Sequence, residues 1–436
     1  MSTESLPEDP VSLLDPRDRK AIQRRTLGVL FGSAIFGRAA MSIGFVVSAL
    51  IMEQILGSST WAGASTAALT VGTAFSASGL SNYMNRTGRR PGLVVGYVAA
   101  SVGGLVALVG GHQLMLIPYL VGLVLIGVGQ GGNNLARYVA ADLAEPSGRS
   151  KAISYVVFAS TVGAVGGPAL AGVAGGIGER YGMDELVGPF GFAAVFFAVS
   201  GLIVYLGLRP DPLVVTGGLS DSVSREDGGG LLPEFWDSMR TIMNSPPARL
   251  ALAGLVVSQA VMVMVMAMTP LHMREHGHDV GLVGWVLSAH TAGMFAFAPL
   301  AGWVSDRFGR LRAIFIAAAT LMAATATTAL AGEAPVSLLF LGLYLLGLGW
   351  SFGMVGSSAL LTESVPAEEQ VPVQGAADLL TSFASGAGAL GSGLVFTMAG
   401  FHILSSLGIV AAGLLLVAAF IRTRTPMLEP APHRSR

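Results

Sequence analysis

Long apolar runs separated by short polar turns fill this chain, and their length is the first constraint on its fold. Twelve of them carry roughly 20 residues each, about what a helix needs to cross ~30 Å of hydrocarbon. They fall near residues 27–51, 60–82, 91–110, 114–138, 151–174, 187–208, 249–272, 280–301, 312–331, 335–360, 374–398 and 402–421. One polar break is long: Arg209 to Arg249, with LSDSVSREDGGG inside it. It reads as a flexible linker and divides the spans six and six. The expected architecture is an all-α membrane protein, with twelve transmembrane helices in two pseudo-symmetric six-helix bundles. Its parts are a tail (1–26), a bundle (27–208), a linker (209–248), a second bundle (249–421) and a closing tail (422–436).

Composition agrees with the pattern. The chain is 52% hydrophobic and only 12% charged, against about 25% charged in soluble domains. Its 59 glycines allow the close backbone approach that membrane helices use to associate. The expected surroundings are lipid. The net charge of −1 gives no electrostatic case for nucleic acid. Zero Cys excludes disulfides, thiolate metal sites and cysteine nucleophiles. The first 26 residues lack the apolar core of a cleaved signal peptide, so the first span is expected to direct insertion. No phosphate loop of the GKS/T type is present, so ATP hydrolysis would need a separate subunit. An enzyme is not expected, nor a cofactor.

Basic residues set the orientation. Arg17, Arg19, Lys20, Arg24 and Arg25 precede the first span; Arg86, Arg89 and Arg90 follow the second; Arg307, Arg310 and Arg312 follow the eighth. With the linker arginines and the C-terminal ones, all fall on one side of a twelve-span chain. Arg180 and Arg274 stand on the other. The positive-inside rule then places both termini and the linker in the cytoplasm of a multi-pass protein of a bacterial-type inner (plasma) membrane.

The two halves also repeat. SNYMNRTGRR (81–90) follows the second span and GWVSDRFGR (302–310) the eighth; aligning Gly88 on Gly309 gives an offset of 221 (309 minus 88). That offset carries Asp142 onto Glu363, and GVG (127–129) falls one residue from GLG (347–349). Repeated halves are characteristic of secondary transporters. Gly302, Asp306, Arg307, Gly309 and Arg310 form G-x3-D-R-x-G-R, which resembles the loop signature of the major facilitator superfamily. In the first half, Ser81 replaces the Gly and Asn85 the Asp. The resemblance implies the major facilitator fold and alternating access, in which two halves rock about a central site.

Several polar groups sit where lipid would not tolerate them idly. Arg38 lies about eleven residues into the first span, ~16 Å deep, and no acidic residue sits at matching depth. It is the candidate contact for an anionic substrate, with the amides Gln130, Asn133, Asn134 and Gln259 as further binding candidates. For the gate, Asp142 is expected to pair with Arg86 or Arg89, and Glu363 with Arg307 or Arg310, beside Asp306. Asp378, one turn into the eleventh span, is a protonation site or a second partner for the first loop. Gly163, Gly167, Pro168 and Gly172 in GAVGGPALAG resemble a motif of proton-coupled antiporters in the superfamily. Their plainer reading is close packing and a bend.

The run VMVMVMAMTPLHM (261–273) poses the chemical question. Residues four apart share a helical face, so its methionines form two stripes, Met262/Met266 and Met264/Met268/His272. Met-rich faces are ordinarily core. In the eighth span, however, SAHTAGMF sets His290 and Met294 four apart as well. Met262-x3-Met266 followed by His290-x3-Met294 resembles the motifs of bacterial major-facilitator copper importers. In that resemblance the four residues carry the metal, and thioethers and imidazole suit Cu(I). Relatives of that group carry organic molecules such as flavins. The expected activity is therefore proton-coupled secondary transport, with copper uptake as the leading cargo. The alternatives are transport of a small organic molecule, or a membrane receptor or assembly factor that binds without translocating. The histidines of HMREHGHD could form a second capture site.

Overall fold

The computed structural model describes residues 16–140, 142–144, 149–215, 231–331, 335–366 and 369–424. The outer parts of both tails and the central linker segment 216–230 lie outside the described residues. Among those described, regular structure is helical. The α-helices are α1 (Pro16–Leu56), α2 (Ala64–Thr87), α3 (Arg89–His112), α4 (Leu116–Val139), α5 (Arg149–Ala169), α6 (Ala171–Arg180), α7 (Gly188–Gly207) and α8 (Pro212–Val215). They continue with α9 (Leu231–Asn244), α10 (Pro246–Glu275), α11 (Val280–Phe295), α12 (Ala298–Phe308), α13 (Arg310–Leu330), α14 (Val336–Glu363) and α15 (Gln370–Arg424).

Nine helices among the described residues are long and apolar enough to cross a membrane, or ten if the bent pair α5/α6 is one span. Two features separate that count from twelve. α15 runs 55 residues through the two expected last spans, broken only at Gly400, whose φ of 78° and ψ of 171° are non-helical. Glycine permits that geometry without a Cβ clash. α2 carries Ser, Thr and Asn through its length (ASTAALTVGTAFSASGLSNYMNRT) and is not among the nine.

Boundaries shift for physical reasons. α1 begins eleven residues before the expected first span. Pro16 at its first position and Asp18 in its first turn suit a helix start. The expected fifth span bends by 48° between Ala169 and Ala171. Pro168 lacks the N–H that would continue the ladder. The linker is not bare chain, because α9 lies within it and buries Ile242 in a cluster with Leu250, Leu255 and Leu361.

The chain divides into two compact units that do not follow the sequence halves. One contains 1–228, 263–292 and 385–404; the other contains 229–262, 293–384 and 405–436. In the first unit, small residues explain why segments of the second half join it. A Cβ on Gly172 would stand 2.6 Å from the Cα of Gly281, and one on Gly284 would collide with the carbonyl of Pro168. Arg274 pairs with Glu185 at 2.7 Å, and the hydroxyls of Ser59 and Thr397 meet at 2.8 Å. The second unit packs α13 on α14, where a Cβ on Gly349 would lie 2.9 Å from Leu321. Gly129 meets Ala100 in the first unit, one residue from the repeat-equivalent place.

α1 and α5 pack through glycine. A Cβ on Gly163 would run into the carbonyl oxygen of Ile35, and one on Gly167 would lie 2.6 Å from that of Ala39. A Cβ on Gly166, on another face, would meet nothing within 4 Å. Gly163→Leu and Gly167→Leu should therefore each destabilise the protein by at least the ~1–3 kcal/mol of overpacking, because main chain must move. Gly166→Leu should be tolerated. Apparent melting temperature and monodisperse fraction in detergent measure the difference, and equal behaviour of Gly163→Leu and Gly166→Leu would refute the packing assignment.

Candidate functional site

The charged turn between α2 and α3 is built on Gly88, whose φ of 107° favours glycine. Just beyond it, Arg89 donates to both oxygens of Asp142, from Nε at 2.9 Å and NH2 at 3.3 Å. NH1 reaches Asn85 Oδ1 at 3.5 Å. The second half repeats the arrangement. Gly309 has φ 95°, and Arg310 donates through Nε (3.0 Å) and NH2 (2.8 Å) to Glu363 Oε1. Arg310 also bonds Ser305 Oγ at 3.1 Å and pairs with Asp306. One offset of 221 relates the glycines, the arginines, the carboxylates and the Asn85/Asp306 position. Each pair closes within one half, Arg89 reaching the turn that follows α4 and Arg310 the end of α14. Arg86, Arg307 and Asp378 are exposed.

The first-half turn contains one carboxylate that sequence reasoning missed. Asp211 accepts from the main-chain N–H groups of Arg89 (3.2 Å), Arg90 (2.7 Å) and Leu213 (2.9 Å). It thus caps the N-terminus of α3 from a distant loop, where a negative charge is favoured by the helix dipole. With Asn85 in place of the signature Asp, Asp142 and Asp211 supply the negative charge at this turn. No sequence signal marked Asp211, because it lies about 120 residues from its partners.

Deeper in the first unit, a polar patch joins α1, α3 and α4. Arg38 is half-buried. The adjacent Gly37 lies so close to Asn133 that a Cβ would stand 2.6 Å from its Oδ1. Asn133 is buried and accepts from Tyr97 Oη at 2.9 Å. Gln130 lies one turn before it, and its Oε1 is buried with no hydrogen-bond partner among the described residues, as is Asn133 Nδ2. Asn134 is exposed. Gly163 and Gly167 hold α5 against α1 on either side of Arg38.

The offset of 221 carries Arg38 onto Gln259 in the second unit. Gln259 Oε1 accepts from Trp350 Nε1 at 2.8 Å. Phe295 meets the Trp350 ring edge-on, with centroids 5.8 Å apart, a favourable aromatic geometry. All three are half-buried, so this amide–aromatic cluster keeps accessible faces. Neither Trp350 nor Phe295 was among the sequence candidates. Beside it, Gly353 abuts Ser258 as Asn133 abuts Gly37 in the first unit. The small and polar partners have exchanged helices.

Met262 and Met266 lie one turn apart on α10, and His290 and Met294 one turn apart on α11. Met262, His290 and Met294 are buried and Met266 is half-buried. Met262 and Met294 belong to the second unit, Met266 and His290 to the first. Among the outer histidines, His272 stacks on Phe401 (centroids 4.3 Å, 10° between planes), and His276 Nδ1 meets the His272 carbonyl at 2.7 Å. No group of three or more His, Asp or Glu side chains among the described residues is placed to hold a metal ion.

Comparison with known proteins fits this arrangement. The family model described as Major Facilitator Superfamily matches residues 29–279 and 250–436. The uncharacterized MFS-type transporters YdeG and YddS of Bacillus subtilis are each 33% identical to the chain. YdeG is matched over 94% of both chains, and YddS over 92% of this chain and 91% of its own. The riboflavin transporter RfnT of Brucella anthropi is 28% identical over 78% of this chain and 81% of its own. Among solved structures, a nucleoside transporter, NupG, has a TM-score of 0.71 at 14% identity, covering 92% of this chain and 99% of that one. That likeness concerns the fold. Repeated charged turns, apolar spans and full-length sequence similarity lead to one conclusion: this chain belongs to the major facilitator superfamily and is a multi-pass membrane transporter.

Proposed function

We propose that the protein moves a small planar organic solute across the cell membrane by proton-coupled alternating access, with its termini in the cytoplasm. The observation that carries this reading is the Gln259–Trp350–Phe295 cluster. Half-buried aromatic faces stack on a flat ring, and the Gln259 amide supplies hydrogen bonds at its edge. Arg38 donates in a fixed fork to carbonyl or anionic oxygens of the solute. The relative named as a riboflavin transporter points to the same ligand class, a flavin-like ring. Arg89–Asp142 and Arg310–Glu363 act as cytoplasmic latches that hold each charged turn against its own bundle during the rocking motion.

A second reading is Cu(I) uptake. It is favoured by the two helical soft-ligand pairs, Met262/Met266 and His290/Met294, three of whose members are buried.

Initial uptake of riboflavin and of copper into sealed vesicles, with and without an imposed pH gradient, separates the two. The organic reading expects saturable, gradient-dependent riboflavin uptake. Trp350→Ala should weaken it about ten-fold, the loss of one stacking and one hydrogen-bonding contact. Met262→Leu with Met266→Leu should leave it unchanged. Copper uptake lost in the methionine variant, with no riboflavin flux, would establish the second reading. No flux of either, despite tight binding, would leave a receptor.

The latches differ in burial. Arg89 and Asp142 side chains are 17% and 15% exposed, Arg310 and Glu363 24% and 54%. Exposed pairs contribute ~0–1 kcal/mol, whereas breaking a sheltered pair costs ~3–5 kcal/mol at full burial. Asp142→Asn should therefore lower the apparent melting temperature in detergent clearly more than Glu363→Gln. The reverse order would contradict the assignment.

A further inference from the structure

The N-terminal end of α1 carries three cations that no carboxylate among the described residues answers. Arg19, Lys20 and Arg24 make no ion pair among the described residues, and Arg19 Nε donates to the Leu143 carbonyl at 3.0 Å. They rim a cavity of about 480 Å³ whose wall continues over Leu27, Leu143 and Tyr155. Residues 20, 24, 27 and 28 lie on one stripe of a helix. The surface therefore passes from charge to hydrocarbon within ~12 Å along α1. Leu27 opens the apolar stretch, which sets the cations at the depth where hydrocarbon gives way to headgroups. Gly28 leaves the groove open, since a Cβ there would meet nothing within 4 Å.

We propose that this groove binds an anionic phospholipid. The phosphate lies between Lys20 and Arg24, and an acyl chain runs over Gly28 and Leu27 toward Tyr155. Other occupants satisfy only half of the surface. A free phosphate meets the cations and leaves the apolar wall wet. A zwitterionic lipid covers the wall and brings its own ammonium to three cations. The site is separate from the transport residues and does not depend on which solute is carried.

The test uses the full chain purified in detergent and titrated in native mass spectrometry. The probes are phosphatidylglycerol, phosphatidylcholine with the same acyl chains, and glycerol phosphate. Wild type should retain phosphatidylglycerol at least ten-fold better than phosphatidylcholine, and glycerol phosphate not detectably. Lys20→Gln with Arg24→Gln should weaken it about five-fold per cation, the weight of one basic residue against an anionic surface. Gly28→Leu changes no charge, fills the groove, and should weaken phosphatidylglycerol retention as well. All three positions are exposed, so the variants should elute as wild type. Equal retention of the two lipids by wild type would overturn the proposal. So would glycerol phosphate binding as well as phosphatidylglycerol, or a wild-type titration in both variants.

Discussion

A glycine main chain pressed against a neighbouring carbonyl is the contact on which this bundle depends. In hydrocarbon, helices gain little from burying one another's apolar side chains, because lipid is equally apolar. Close packing has to supply the attraction, and dispersion falls off steeply with distance. At Gly163 and Gly167 the α5 main chain lies on α1. The same small-residue approach draws α11 and part of α15 to the first half, at Gly172/Gly281 and Gly63/Ala389. Pro168 sits among these glycines, and the bend that follows it turns α6 away from α5. Arg38 lies on the stretch of α1 that this packing holds in place.

On that frame the two halves repeat chemistry as well as shape. One glycine of positive φ, one arginine and one carboxylate recur 221 residues apart in each charged turn. The copies have diverged where they face different neighbours. The first turn gains Asp211 and keeps its pair sheltered, whereas the second relies on Asp306 and stands more open. The deep polar positions have diverged further. A cation in the first half, Arg38, corresponds to an amide joined to an indole in the second, Gln259.

Much of this was legible from the chain alone, and for a physical reason. Span length, charge bias and repeat spacing are local or additive properties, and the membrane imposes them on every segment alike. The charged pairs were legible to within one turn: Arg89 was chosen over Arg86 and Arg310 over Arg307 only by which side of the left-handed glycine each occupies. Tertiary structure decided what depends on helix rotation and on distant loops. It brought Asp211 to the start of α3, Trp350 to Gln259, and Tyr97 to Asn133. It ran the last two spans into α15 with Gly400 as the sole break, and it distributed the methionine–histidine quartet over two compact units. A helix records in its sequence which residues share a face, but the partner of that face is chosen by the packing of other helices.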